Sequence, residues 1–498
     1  MSSDINPSPG RAPDQPSADS LVLDASPAWR RNAVLILLAL VAVGLRVAAA
    51  RGDLVLDEIW SLTMASRADS AWQIFVIPHD NNHILNTLVL YTLGPNAEPL
   101  VLRLPAVAAG SLALWFAVQL ARRLTPGAEI PVMILLGFSH ILILFGSEAR
   151  GYGYLVGCTL AAWWAIEDFL DQPRSRSAAA FALASSLGLL SHLTFVFADA
   201  AFVVYSGLAL RSRRGGWRQF VVLHALPVLT GIVLFFTYVL GMSIGAGNPS
   251  PLLVTLVATL SLAAGGPQYG PAAVAAAAAM TVLVGVSLVF EFRANRLRGI
   301  LYVVAIVLAP GFVLAVTQHQ FIYPRYFIVP MIFAYVAVGT LLARWFRSGH
   351  FGQAAATVLL TGYLACNFTP VMRLISHGRA EFSEAMRWMA ENTAGAEVAL
   401  ASDHDFRNSM VAFYHAGRTG QTYGDNDKKL SYIGQEQYPP QGTEWFLRHS
   451  FDGDVAPPDR FTDPNGNMFE LVKVFPAGSI SGWTWWLYRR SSTQKAPP

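Results

Sequence analysis

Charge is what this 498-residue chain has least of: only 13% of its residues are Asp, Glu, Lys or Arg, while 53% are hydrophobic. Soluble globular domains carry about 25% charged residues, so this composition excludes an ordinary soluble enzyme. Cysteine is almost missing too. Cys158 and Cys366 both lie in apolar runs, which leaves no disulfide framework and no metal-ligand spacing. The formal net charge of +3 gives no basic surface, and nucleic acid is excluded as a partner. The first 28 residues lack the apolar core of a signal peptide and read as a disordered cytoplasmic tail.

What the chain has instead is apolar runs of membrane length. A hydrocarbon core of about 30 Å takes a helix of roughly 20 residues. Runs at 32–50, 99–121, 130–146, 151–170, 178–192, 193–210, 219–241, 271–292, 299–317, 326–343 and 354–370 predict a polytopic α-helical membrane protein with about eleven transmembrane helices. The shorter runs 83–94 and 252–264 read as interfacial or re-entrant segments. With the N-terminus inside, each expected cytoplasmic loop carries arginine: Arg122 and Arg123, then Arg174 and Arg176, the 211–218 group, the 293–298 group, and Arg344 with Arg347. An odd number of spans then delivers the C-terminal region to the outer face.

Composition shifts near residue 371. Residues 29–370 form the membrane domain, with a first outer loop at 51–98. Residues 371–498, with scattered charges and turn clusters, predict a small soluble α/β domain on the periplasmic or other extracytoplasmic side. It has a helix at 381–393 and strands at 396–401, 469–475 and 483–488.

Four polar clusters lie on the expected outer side. Asp57 and Glu58 follow the first span, and because helix neighbours point in different directions only one of them can face a given cavity. The alternative is a solvated helix N-terminus, where acids are favoured. His79, Asp80 and His83 suit a divalent metal, hydrogen bonds to a sugar, or a helix cap. Glu148, Arg150 and Tyr152 sit at the end of the 130–146 run, as an interfacial ion pair or as part of a site. Arg325 and Tyr326, in the stretch 318–326, suit a phosphate held by a guanidinium fork, or an aromatic belt at the headgroups. His192, inside an apolar block, is a second-tier candidate.

Leu45-Arg46, Asp57-Glu58, His83-Ile84-Leu85-Asn86, Arg103-Leu104-Pro105, the run Ser147-Glu148-Ala149-Arg150-Gly151-Tyr152 and Arg325-Tyr326 occur in the order and at the spacing of one known family. From about residue 32 to 345 the chain resembles the family-39-type GT-C glycosyltransferases, which include protein O-mannosyltransferases, aminoarabinose transferases and rhizobial lipopolysaccharide core transferases. It departs from them at His83-Ile84-Leu85, where the family usually has His-Pro-Pro, and at Ser147, where Gln is common.

The resemblance implies a multi-pass inner-membrane enzyme moving a sugar, with inversion, from a polyprenyl-phosphate donor to a hydroxyl of a glycan, lipid or protein acceptor on the outer face. It makes Asp57 the general base and Glu148 a second catalytic group. Glu58, His79, Asp80, His83, Arg103, Arg150, Tyr152, Arg325 and Tyr326 become substrate-binding residues. No cofactor is required by this chemistry, and a divalent metal remains an option. The competing readings are a transporter or flippase of lipid-linked sugars, whose ionisable groups belong near the bilayer midplane, and a glycan polymerase or ligase.

Overall fold

The computed structural model describes residues 28–245, 250–317, 322–418, 428–451, 455–478 and 480–491. The expected disordered tail therefore lies outside the described residues, apart from Ala28, which opens the first helix. Each of the eleven apolar runs is helical, but not all are equal. Among the described residues eight helices are long and apolar enough to cross a membrane, and the bent pair Glu129–Gly137 and His140–Gly146, broken by 60°, makes a ninth if taken as one span. Tyr152–Asp171 and Ser175–Ser191 are the remaining two. The first carries three acids near its end and the second has 17 residues, so neither meets the criteria of length and composition, and the expected count of eleven spans is not confirmed. The short runs form the helices Ile84–Leu93 and Leu252–Ala263.

The bundle is built around Ile328–Arg347, which is buried along almost its whole length, while Gly216–Val239 and Pro271–Ala294 are largely exposed. Exposed Leu229, Ile232 and Phe236 are what a lipid-facing surface requires. Close packing depends on small residues where hydrophobic burial gives no net drive between helices. Gly153 and Gly157 meet the backbone of Ala106 and Ala109 on helix Pro99–Leu124: a Cβ on Gly153 would lie 2.2 Å from the Ala106 carbonyl oxygen.

The broken span shows how freed backbone groups are satisfied. The bend leaves the carbonyls of Leu136 and Gly137 without helical donors, and Arg46, in the last turn of helix Ala28–Ala49, donates to both at 3.0 and 2.8 Å. On the other side of the bend Asn367 Oδ1 accepts from the His140 N–H at 2.7 Å. These contacts answer the rule that irregular backbone at membrane depth must find partners inside the protein.

The arginines of the expected cytoplasmic loops gather at one end of the bundle. Arg123 pairs with Asp168 at 2.9 Å, Arg344 with Glu291 at 2.7 Å, and Arg213 donates to the Leu170 carbonyl at 2.7 Å. Loop 51–98 and the C-terminal domain occupy the other end. That loop is ordered by helix Leu56–Arg67 and by helix Ile84–Leu93.

Helix His350–His377 carries the chain past the composition break at 371 and ends at Gly378, which has φ +61° and where an added Cβ would lie 3.8 Å from the Gly52 Cα. Helix Phe382–Asn392 follows, then β1 (Glu397–Ser402), helix Asp405–Arg418, β2 (Lys429–Tyr432), β3 (Trp445–Ser450), β4 (Arg460–Thr462), β5 (Met468–Phe475) and β6 (Thr484–Arg490). The strands form one sheet in the order β2-β1-β3-β6-β5-β4. It is parallel across β2-β1-β3 and antiparallel thereafter.

This domain is docked on the bundle rather than tethered to it. One continuous apolar core joins Leu54, Ile59, Leu62 and Leu102 to Phe382, Met389, Trp445 and Trp485.

Substituting Gly153 with Val forces helix Tyr152–Asp171 away from Ala106 and costs about 1–3 kcal/mol, as overpacking does. Gly44→Ala, with nothing within 4 Å of the added carbon, leaves the detergent thermal melt unchanged; equal melts for the two variants would contradict this packing.

Candidate active site

Asp57 and Glu58 open helix Leu56–Arg67 and, as neighbours on a helix, point apart. Glu58 turns inward and is fully buried. Its carboxylate accepts from Arg103 Nε at 2.7 Å and Nη2 at 2.6 Å, and from the backbone N–H groups of Val55 at 3.0 Å and Ala149 at 2.8 Å. Burial alone would raise this carboxyl, but Arg103 outweighs it and brings Glu58 down to about 2. Arg103 also donates to the carbonyls of Ala50, Gly52 and Asp53. The pair thus ties together the end of span one, the start of the loop, helix Pro99–Leu124 and residue 149.

Asp57 turns the other way, into a cavity of about 1230 Å³. Its side chain is 33% exposed there, with Oδ2 2.9 Å from Arg150 Nη1 and 3.5 Å from Arg325 Nη2. Burial favours the protonated acid, yet the two guanidinium groups prevail and hold Asp57 below the usual carboxylate range. Asn81 fixes both partners: its Nδ2 donates to the Asp57 carbonyl at 2.6 Å, and its Oδ1 accepts from Arg150 at 2.7 Å.

Arg325 lies 4.6 Å from the ring centre of Tyr323 and 5.8 Å from that of Tyr326. It faces the cavity interior, so the aromatic-belt reading of this cluster is set aside.

His83, Tyr152, His192 and Tyr326 form an aromatic group beside the arginines. Ring centres are 4.8 Å apart for His83 and His192, 4.8 Å for Tyr152 and His192, and 6.2 Å for His192 and Tyr326. His83 Nδ1 accepts the Gly151 N–H at 3.0 Å, which places the ring proton on Nε2. Burial, then the nearby His192, Arg150 and Arg325, push its pKa well below the usual value, so the ring is neutral near pH 7. His79 stacks on Trp60 at 5.4 Å, and its Nδ1 lies 3.2 Å from Asp80.

Asp80 also accepts the Gly245 N–H at 3.1 Å. Among the described residues no group of three or more His, Cys, Asp and Glu side chains is arranged to hold a metal; His79, Asp80 and His83 each contact protein groups.

Asp57, His79, Asp80, His83, Arg150, Tyr152, His192, Arg325 and Tyr326 therefore line one cavity, although they come from five separate stretches of chain. Glu58, Arg103 and Glu148 do not line it. All three are fully buried, and placing Glu58 and Arg103 against substrate is corrected by their pairing with each other. Glu148 sits behind Arg150, 3.8 Å away, and 3.5 Å from Arg379; burial raises its pKa despite both arginines.

Arg379 is the residue that sequence reading missed. It donates to the carbonyls of Ala49 at 2.6 Å and Leu144 at 2.9 Å and to Ser147 Oγ at 2.9 Å. No motif marks it, and only its position two residues past a helix end after a long apolar run hinted at a junction.

Removing one member of a buried ion pair strands the other and costs about 3–5 kcal/mol. Arg103→Met is accordingly expected to lower the melting temperature sharply, whereas Asp57→Asn, on the cavity wall, lowers it far less. Glu58 has a depressed pKa, so its contribution is complete above about pH 4.3 and disappears as pH falls through about 2. An acid-unfolding profile identical in wild type and Glu58→Gln would contradict that assignment.

No family model and no curated protein matches the chain by sequence. Its shape does have counterparts. The crystal structure of ArnT from Cupriavidus metallidurans in the apo state is similar with a TM-score of 0.51 and 12% identity, covering 84% of this chain and 93% of that one. The same protein bound to undecaprenyl phosphate gives a TM-score of 0.50 at 12% identity, covering 95% of this chain and all of that one. The helical bundle, the bound-in C-terminal sheet domain and these matches together show that the chain shares the fold of that protein.

Proposed function

We propose that the protein is a membrane glycosyltransferase that moves a sugar, with inversion, from a polyprenyl-phosphate donor to an acceptor hydroxyl. One observation carries the reading: a carboxylate and two arginines meet in a cavity that also holds an apolar lane. Leu189, Leu193, Phe197, Val239, Ala258 and Leu314 line that lane, between membrane helices. This is the division a lipid-linked sugar phosphate requires, with hydrocarbon among the helices and charge at the boundary. The similarity in fold to a protein crystallised with undecaprenyl phosphate supports it.

The chemistry follows from the charges. Asp57 accepts the acceptor's proton as the hydroxyl oxygen attacks the anomeric carbon, and the bond to the donor phosphate breaks. Arg150 and Arg325 stabilise the negative charge that collects on the leaving phosphate. In the unliganded site both arginines are engaged with Asp57, which makes it a weak base. A bound phosphate competes for them, and the pKa of Asp57 rises toward its ordinary value when the donor is present. Neutral His83 presents Nε2–H as a donor to a sugar or phosphate oxygen. Glu148 and Arg379 keep Arg150 in place.

The arginine-rich end of the bundle is assigned to the cytoplasm and the cavity end to the outer face of the inner membrane, with the acceptor being a glycan, lipid or protein.

Asp57→Asn is expected to lower transfer at least about 100-fold while retaining binding of undecaprenyl phosphate, whereas Arg325→Gln weakens that binding. The readout is envelope glycan mass spectrometry of cells lacking the gene and complemented with each variant; full restoration of the missing sugar by Asp57→Asn would refute the base assignment. Because the donor returns Asp57 no further than its ordinary range, transfer is expected to stay level from neutral pH down to about pH 5 and to fall only as the pH approaches the Asp range near 4. A reporter fused after His377 is expected to be active outside the cytoplasm only, and cytoplasmic activity would reverse the site's orientation.

A further inference from the structure

Away from the apolar lane the cavity wall is supplied by the C-terminal domain, where Phe406, Arg407, Phe451 and Trp483 join Trp60 of the first loop. Arg407 is held in place there. Its guanidinium lies 5.0 Å from the Phe451 ring centre, and Nη1 is 3.3 Å from His449 Nε2.

The carboxylate of Asp403, which the same imidazole contacts, is already engaged. Asp403 Oδ1 is 2.8 Å from His449 Nδ1, and Oδ2 accepts the His449 N–H at 3.0 Å. With Nδ1–H donating to Asp403, Nε2 is left to accept from Arg407. Among the described residues Arg407 makes no ion pair with a carboxylate, unlike Arg150 and Arg325. A guanidinium held by a ring and an imidazole, yet not neutralised, is prepared for an anion.

The surroundings narrow the class of ligand. Phe406 and Phe451 are more than half exposed on this wall. Trp60 lies 6.0 Å from Phe406, and Trp483 lies 5.8 Å from Phe451. Exposed aromatic faces beside a polar group suit a ligand with one apolar side and one wet side, as a sugar ring has.

We propose that this shelf binds the acceptor, and that the acceptor bears an anionic group, phosphate or carboxylate, on or next to the saccharide that packs on the aromatic rings. The assignment rests on the reading of the cavity as a transfer site. It adds a recognition element from the C-terminal domain, distinct from the arginines engaged with Asp57 and the donor phosphate.

The test uses the full-length protein in neutral-lipid nanodiscs with three probes: trigalacturonic acid, glucose 6-phosphate and uncharged maltotriose. At least one charged saccharide is expected to bind at least about tenfold more tightly than maltotriose, and the preferred one tells carboxylate from phosphate. Arg407→Gln is expected to weaken that binding about tenfold or more, in line with the loss of a hydrogen bond to a charged group, and Phe451→Ala to weaken binding as well. Undecaprenyl phosphate binding and the thermal melt stay at wild-type values in both variants.

Charged saccharides binding no better than maltotriose, or an unchanged affinity in Arg407→Gln, would overturn the proposal. Failure of the wild type to bind undecaprenyl phosphate would count against the transferase reading, and the saccharide affinities would still decide whether Arg407 holds an anion.

Discussion

The contact between Glu58 and Arg103 is the constraint on which the rest of this site depends. A carboxylate and a guanidinium taken wholly out of water are costly unless every polar atom finds a partner. Here the pair, with Arg103 supplied by helix Pro99–Leu124, meets that condition by recruiting backbone groups from three places: residues 50–53, Val55 and Ala149. Satisfying one buried charge fixes the start of helix Leu56–Arg67. With that helix fixed, Asp57 has one direction left to point.

The same logic extends outward. Arg379 meets the carbonyls at the ends of two spans and the hydroxyl of Ser147, so the C-terminal domain is bound into the site it covers. Asp53 adds a second tie, accepting from the Ser383 N–H at 2.6 Å and its Oγ at 2.8 Å at the start of helix Phe382–Asn392. Behind the cavity, Arg46 performs a similar task at the bent span. Charged groups in this bundle therefore fall into two sets. Arg46, Arg103 and Arg379, fully buried, close the backbone at irregular points, while Asp57, Arg150 and Arg325 line the cavity.

Much of this was legible in the sequence, for a physical reason. Membrane-length apolar runs are a strong signal because hydrocarbon thickness dictates them, and each run expected to be a span is helical. The argument that adjacent acids face different ways separated the roles of Asp57 and Glu58 in kind, though not which acid faced inward. Glu58 and Arg103 read as substrate ligands, and Glu148 as a catalytic group, because a sequence shows charge but not burial. Arg379 and the Arg407 shelf were not legible at all. Both depend on the docking of a domain whose strands β2, β3 and β4 and helix Asp405–Arg418 carry weak local patterns, and on contacts more than two hundred residues apart. The count of spans suffered in a different way, because helices Tyr152–Asp171 and Ser175–Ser191 are partly sheltered by neighbours and need not meet the composition of a lipid-facing span.

The central claim is that Arg150 and Arg325 form the phosphate end of a site for a polyprenyl-phosphate-linked sugar. A structure of the protein determined with undecaprenyl phosphate added tests it most directly. The account predicts the phosphate within about 4 Å of both guanidinium groups, the distance of an ion pair, with the isoprenoid chain running past Leu193 and Leu314. Lipid phosphate bound elsewhere, with Asp57 still clasped by both arginines, would contradict it.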